Sequence, residues 1–183
     1  MGFYVSICHM KLNTPDILFK TMYSSPIGEM MLASDGENIV GLWIIGQKYF
    51  PCDLVDSMVP CDDLPVFCLA RDWLNRYFAG DRPSISELPL APRGSAFRQM
   101  VWKILCDIPY GAVCTYGDIG RRVVALRGAP HMSAQAVGGA VGHNPISVII
   151  PCHRVVGAGG KMTGYAAGIS TKIKLLEFEG ADI

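Results

Sequence analysis

Two periods run through the apolar positions of this chain, and the switch between them divides it. Ile17 to Ser24, Glu29 to Ser34 and Asn38 to Ile45 read as strands, separated by the turn Ser25-Pro26-Ile27-Gly28 and by Asp35-Gly36. Short runs bounded by such residues predict an antiparallel meander. Pro51 to Pro65, with its prolines and aspartates, reads as a loop. From there the period lengthens: Val66, Leu69, Ala70, Trp73, Leu74, Tyr77 and Phe78 recur at three and four. That spacing predicts an amphipathic helix over Pro65 to Ala79, stopped by Gly80. The first fifteen residues show no period and receive no element.

Arg82 to Gly94, with three prolines, reads as a linker, after which helical spacing returns. Ser95 caps a helix with Phe97, Val101, Ile104 and Leu105 on one face, closed by Pro109-Tyr110-Gly111. Thr115 and Asp118 resemble a weaker capping box for a helix from Tyr116 to about Leu126. Gly128 and Pro130 break it, and Ser133 caps another helix ending near Gly142. Helix, break, helix is the outline of a helix-turn-helix. The second member holds three glycines between Ser133 and Gly142, which cost helix stability unless its backbone approaches another surface closely. That surface is a packed helix or a nucleic-acid groove, and composition favours packing. Asn144-Pro145 makes a corner, Val148 to Ile150 a buried strand, and Gly157 to Gly168 a glycine-rich loop. A last helix starts near Ser170 and stops at Gly180.

Composition narrows the class. Half of the 183 residues are apolar, enough for one large domain or two small ones. Seven cysteines without a C-x-x-C spacing suggest neither a disulfide framework nor a zinc ribbon, and a reducing cytoplasm fits best. Cys8-His9, Cys52, Cys61 and Cys68 are too irregularly spaced to indicate a metal site. Met1-Gly2 and the residues after it match an N-myristoylation pattern, which is short enough to arise by chance. No apolar run is long enough to span a bilayer, so no membrane role is expected. Zero net charge hides an asymmetry: residues 1–92 hold 6 Lys/Arg against 11 Asp/Glu, and residues 93–183 hold 10 against 5. The basic half is the one with the helix pair, as a polyanionic partner requires.

Candidate chemistry sits in Pro151-Cys152-His153-Arg154-Val155. A thiol becomes a strong nucleophile only as thiolate, and an imidazole is a suitable base. Neighbours on an extended strand face opposite ways, so this pair cooperates only if the chain turns sharply or a water bridges them. The bland alternative is a core cysteine beside a surface histidine. Glu177 and Glu179 lie where the helix dipole disfavours a carboxylate, so at least one is a candidate to orient His153. Periodicity does not choose between them.

These motifs stand in a fixed order: an Ala-Val-Gly-Gly-Ala helix, Asn144-Pro145, Pro151-Cys152-His153-Arg154-Val155, Gly164-Tyr165, then Leu-Leu-x-x-Glu-Gly. Residues 95–180 thereby resemble the O6-alkylguanine-DNA alkyltransferase family. The resemblance implies an α+β fold, with an N-terminal ribonuclease-H-like α/β roll over 1–90. A C-terminal winged-helix-like alkyltransferase domain with a helix-turn-helix is implied over 95–183. It implies that Cys152 takes an alkyl group from guanine O6 irreversibly, with His153 as base through a water and Glu179 orienting it. Asn144 would be the hinge between recognition helix and active-site strand, and Tyr116 would assist base flipping and protonate guanine N3. Carbonyls of Cys152 and Val155 would accept from the guanine amino group, Tyr165 and the backbone of Ala166 would line the O6 side, and Ala134, Gln135 and Gly138 would face DNA. No cofactor and no metal are implied. The implied partner is double-stranded DNA carrying O6-alkylguanine, met by a cytoplasmic monomer.

Two positions depart from the family pattern. Gln135 stands where many members carry an arginine that enters the base stack, so weaker duplex binding is expected. Ala166 replaces a serine of some members, with little expected loss because the backbone N–H is the group needed. The rival readings are a non-repairing protein that binds alkylated DNA, a winged-helix regulator and a Cys-His-Glu hydrolase. Retention of Cys152 opposes the first, and the other two each leave part of the motif set unused.

Overall fold

The computed structural model describes residues 17–128 and 131–182. Cys8-His9, the Met1-Gly2 pattern and the predicted break at Pro130 fall outside them. The meander forms as β1 (Phe19–Ser25), β2 (Gly28–Ser34) and β3 (Ile39–Ile44), antiparallel in sequence order. The predicted loop after it is not wholly irregular. It contains α1 (Cys52–Val55) and β4 (Val59–Pro60), and β4 runs parallel to β1 to complete a sheet of order β3-β2-β1-β4. Tertiary pairing overrides composition here: the Val59 N–H donates to Leu18 O at 2.8 Å and the Cys61 N–H to Lys20 O at 3.0 Å. Pro60, lacking an N–H, sits where an outer strand tolerates it.

Side chains alternate across the sheet, and both faces are covered. Met30, Leu32, Ile39 and Leu42 enter the main core, which α2 (Pro65–Phe78) also enters through Phe67, Ala70, Trp73, Leu74 and Tyr77. Met31, Ala33, Val40, Trp43 and Met58 form a second cluster, against which Phe50 and Val55 pack.

The free edge of β3 is what positions the rest. Ile39 N donates to Pro89 O at 2.8 Å and Ala91 N to Ile39 O at 2.9 Å, so part of the predicted linker is bound to the sheet. Farther along the same strand, Leu42 N donates to Pro145 O at 2.9 Å and Ser147 N to Leu42 O at 2.8 Å. An exposed strand edge is thereby closed by the segment that leads to Cys152.

In the second half, α3 (Ala96–Cys106) starts at Ser95, whose side chain accepts from the Arg98 N–H. β5 (Cys114–Thr115) leads into α4 (Tyr116–Arg127), which begins with the Thr115/Asp118 capping box. Gly128 ends α4 in the left-handed conformation, and α5 (Ala134–Gly142) follows the Ser133 cap. Trp102 of α3 donates its indole N–H to Ala140 O of α5 at 2.9 Å. β6 (Val155–Val156) runs parallel to β5, and α6 (Ile169–Phe178) buries Lys172, Leu175 and Leu176. One contiguous core runs from the first sheet through Trp102 to Val155 and Leu175.

Among the described residues no helix is long and apolar enough to cross a membrane, and no three His, Cys, Asp or Glu gather as a metal site. Cys52, Cys68, Cys106, Cys114 and Cys152 are free thiols, and Cys61 is disulfide-bonded.

Candidate active site

The run expected to be a strand before Cys152 is buried but is not a strand. Val148 has φ +68°, and its neighbours bond locally: Ile149 N donates to Ser147 O at 2.8 Å and Ile150 N to Ile146 O at 3.0 Å. Asn144 fills the place of a neighbouring strand. Its Nδ2 donates to Ile150 O at 2.7 Å and to Ile146 O at 3.2 Å, and its Oδ1 accepts from Ile146 N at 3.0 Å. The same Nδ2 lies 3.1 Å from Cys152 Sγ, so one amide ties the corner to the thiol. Pro151 then opens a 3₁₀ turn over Cys152–Arg154, which is the sharp bend that lets adjacent residues serve one site.

His153 and Glu179 meet inside the protein. His153 Nε2 lies 2.8 Å from Glu179 Oε1, and neither side chain is exposed. Glu179 also accepts from Arg154 Nε on Oε2 at 2.8 Å and from Arg154 Nη2 on Oε1 at 2.9 Å. Burial alone would raise its carboxyl, but the hydrogen bonds from His153 and Arg154 hold it well below the usual carboxylate range. Glu179 is therefore an acceptor, and the proton between the pair belongs to Nε2. Burial pushes the His153 imidazolium down, so the ring is neutral and Nδ1 carries the lone pair. Nδ1 is buried with no hydrogen-bond partner among the described residues.

Cys152 is 6 % exposed, and burial pushes its thiol up, against the hydrogen bond from Asn144 and the charge of Lys172. It rests as a neutral thiol that needs a base. Lys172 reaches the same place from α6, donating to the carbonyls of Val155 and of Thr163, the latter at 2.7 Å. Burial lowers its ammonium to about 8.

The glycine-rich loop covers this centre and is tied at several points. The Tyr116 hydroxyl lies 3.4 Å from Thr163 O and 3.5 Å from Gly164 O, at the long limit of a hydrogen bond. Lys48 N donates to Ala166 O at 2.8 Å, from the N-terminal half. The Tyr165 hydroxyl is buried beside Ser147, whose Oγ donates to Gln47 Oε1 at 3.1 Å, and it makes no hydrogen bond of good geometry among the described residues. The Cys152 carbonyl accepts from Val155 N, and each carbonyl oxygen here keeps a second lone pair.

Cys152, His153, Glu179, Asn144, Tyr116, Val155, Tyr165 and Ala166 thus come from one connected set of turns and helix ends. Ala134 and Gln135 do not belong to it: both are exposed on the first turn of α5, with the half-buried Gly138 one turn on. Cβ atoms added at Gly138 or Gly139 would meet nothing within 4 Å. For Gly138 and Gly139 the packing explanation therefore fails: among the described residues nothing approaches them, whereas Gly142 lies 4.0 Å from the Tyr49 ring.

Comparison with known proteins extends the geometry. A model described as the 6-O-methylguanine DNA methyltransferase DNA-binding domain matches residues 96–181, and one for that protein's ribonuclease-like domain matches residues 18–92. This chain belongs to the 6-O-methylguanine DNA methyltransferase family. Its fold is that of the family, a ribonuclease-like unit followed by a DNA-binding unit. The methylated-DNA–protein-cysteine methyltransferase of Haemophilus influenzae is 41% identical over 162 residues, covering 88% of this chain and 86% of that protein. The crystal structure of the Mycobacterium tuberculosis O6-methylguanine methyltransferase matches with TM-score 0.75 at 44% identity, over 89% of this chain and 93% of the other. The structure of the M. tuberculosis protein in complex with DNA matches with TM-score 0.75 at 43% identity, over 88% and 92% of the two chains.

Within this family member, sequence reasoning missed four residues at the site. Arg154 and Lys172 are charged, yet both are buried beside the reacting groups. Arg154 lies inside the recognised Pro-Cys-His-Arg motif, so its position was a signal. Gly111 sends its N–H to Glu179 Oε2 at 3.1 Å, and a Cβ there would lie 2.9 Å from Glu179 O. Tyr77 was assigned only to the apolar face of a scaffold helix, yet its hydroxyl donates to Glu179 Oε1 at 2.7 Å.

Proposed function

We propose that this protein repairs DNA by moving an alkyl group from guanine O6 onto its own Cys152, irreversibly and once per molecule. The carrying observation is the buried line from Cys152 to His153 to Glu179, in which the imidazole presents Nδ1 as an unengaged base. A water relays the thiol proton to Nδ1, while Glu179 holds Nε2–H and fixes the tautomer. The thiolate attacks the alkyl carbon in line as the carbon–O6 bond breaks, and the electron pair passes into the guanine ring. Tyr116 protonates the ring at N3 and is reprotonated afterwards. In sum, sulfur gains the alkyl group and guanine gains the thiol proton. A thioether offers no ready leaving group, so the protein is spent.

O6 lies inside a duplex, and reaching it requires flipping the nucleotide out at a cost of a few kcal/mol. The open glycine face of α5 supports a groove-binding role, with Ala134, Gln135 and Gly138 against DNA. Carbonyls of Cys152 and Val155 accept from the guanine amino group, and Tyr165 with the Ala166 backbone lines the O6 side. Asn144 couples α5 to the thiol. Residues 1–90 act as scaffold and 95–183 as the DNA-binding alkyltransferase unit. The partner is double-stranded DNA containing O6-alkylguanine, met by a monomer in the cytoplasm. Titrating the protein with excess O6-methylguanine duplex tests this reading. Repaired guanine should plateau at one per chain and be absent with Cys152→Ala; continued turnover, or repair by that variant, overturns it.

A further inference from the structure

From the N-terminal half, Tyr77 reaches the carboxylate of Glu179 with a buried phenol. Tyr77 is 1 % exposed, and its ring has a packing reason of its own: it stacks on Trp73 with centroids 5.4 Å apart and meets Tyr110 and Phe178. Phenylalanine would fill that space equally well, so packing leaves the hydroxyl unexplained. The hydroxyl donates to Glu179 Oε1 at 2.7 Å. The same oxygen takes His153 Nε2 at 2.8 Å and Arg154 Nη2 at 2.9 Å, while Oε2 takes Arg154 Nε at 2.8 Å and Gly111 N at 3.1 Å. A carboxylate offers about four lone-pair sites. Five donors exceed that number, so Glu179 would remain fully satisfied without Tyr77.

We propose that Tyr77 is a positioning residue for proton transfer: its hydroxyl competes with His153 for one oxygen of Glu179 and limits how strongly that carboxylate holds a protonated imidazole. The inference rests on the reading of His153 as the base. His153 feels Glu179, Arg154 and Lys172, while Glu179 interacts with Tyr110 and Tyr165 besides Arg154 and Tyr77. Burial raises the Tyr77 phenol far above its ordinary value, so it stays a donor at every working pH. Removing it concentrates the carboxylate charge on His153, which favours imidazolium and lowers the fraction of free base at a given pH.

Tyr77→Phe tests the proposal without disturbing the ring stack. The single-turnover rate of methyl transfer from a saturating O6-methylguanine duplex is measured against pH. The acid limb should move up by about half to one pH unit, a roughly three- to tenfold slower rate on the acid side that converges with wild type at high pH. The His153 imidazole, followed by NMR, should titrate higher in the variant. Incorporating 3-fluorotyrosine at position 77, a stronger donor, should move both observables the opposite way. A limb that stays in place, a slowing equal at every pH, or an unmoved His153 titration overturns the proposal. If the wild type transfers no methyl group, it is the functional reading that fails, and the NMR titration still decides the role of Tyr77.

Discussion

Replacing Asn144 with alanine removes the side chain that substitutes for a strand partner, and the structure sets the size of the effect. Ile150 O keeps its bond from Cys152 N at 2.8 Å, and Ile146 O keeps its bond from Ile150 N at 3.0 Å. Those two losses therefore amount to ordinary hydrogen bonds, about 1 kcal/mol each. The Ile146 N–H differs, because Asn144 Oδ1 at 3.0 Å is its acceptor and the site is buried. Stranding that donor costs about 1–3 kcal/mol. The sum, roughly 3–5 kcal/mol, lowers the melting temperature by about 10 °C in a chain of this size. The thiol changes as well: it loses the hydrogen bond that opposes its burial, so its pKa rises further and thiolate becomes scarcer near neutral pH. Calorimetry gives the first quantity, and the pH dependence of Cys152 modification by a small thiol reagent gives the second. An unchanged melting temperature together with an unmoved reactivity profile would refute the role assigned to Asn144.

Three further outcomes are expected. Gly111→Ala forces a Cβ to 2.9 Å from Glu179 O at a residue with φ +73°, so both thermal stability and methyl-transfer rate should fall; wild-type values for both would contradict the placement of Glu179. Gln135→Arg adds a cation to the exposed first turn of α5 and should tighten duplex binding, steepening the dependence of log K on log salt by about 0.9; unchanged or weaker binding would remove α5 from the DNA interface. Glu179→Gln should destabilise the protein at neutral pH. The Glu179 carboxyl is depressed in the fold, so its contribution is present above the unfolded carboxylate value of about 4.3 and is lost as pH falls through the lower folded value. A wild-type minus Glu179→Gln stability difference that grew on acidification would contradict that sign.

Much of the architecture could be read from local pattern, because turn residues bound the strands of the meander and the helices α2 to α6 each bury one stripe. The errors fall where tertiary hydrogen bonds override local pattern. β4 exists because Leu18 and Lys20 offer free carbonyls to Val59 and Cys61, and nothing in its composition announces that. Val148 to Ile150 looks like a strand because a buried apolar run carries no period; the side chain that folds it into turns is Asn144, several residues earlier. At the site, Cys152, His153, Asn144 and Glu179 were legible through the ordered motifs, and Glu179 was separated from Glu177 by resemblance alone. Arg154 and Lys172 were missed because charged residues are ordinarily exposed. Tyr77 was missed because its helical spacing already explained it, and one hydroxyl leaves no trace in a pattern of apolar positions.

The central claim is that Cys152 itself becomes the permanent acceptor. Its most direct measurement is the intact mass of the protein after exposure to excess O6-methylguanine duplex, with the modified residue located by peptide fragmentation. The account requires a gain of one methyl group on Cys152, never more, and none with Cys152→Ala. A methyl group on another residue, or repaired DNA beside protein of unchanged mass, would contradict it.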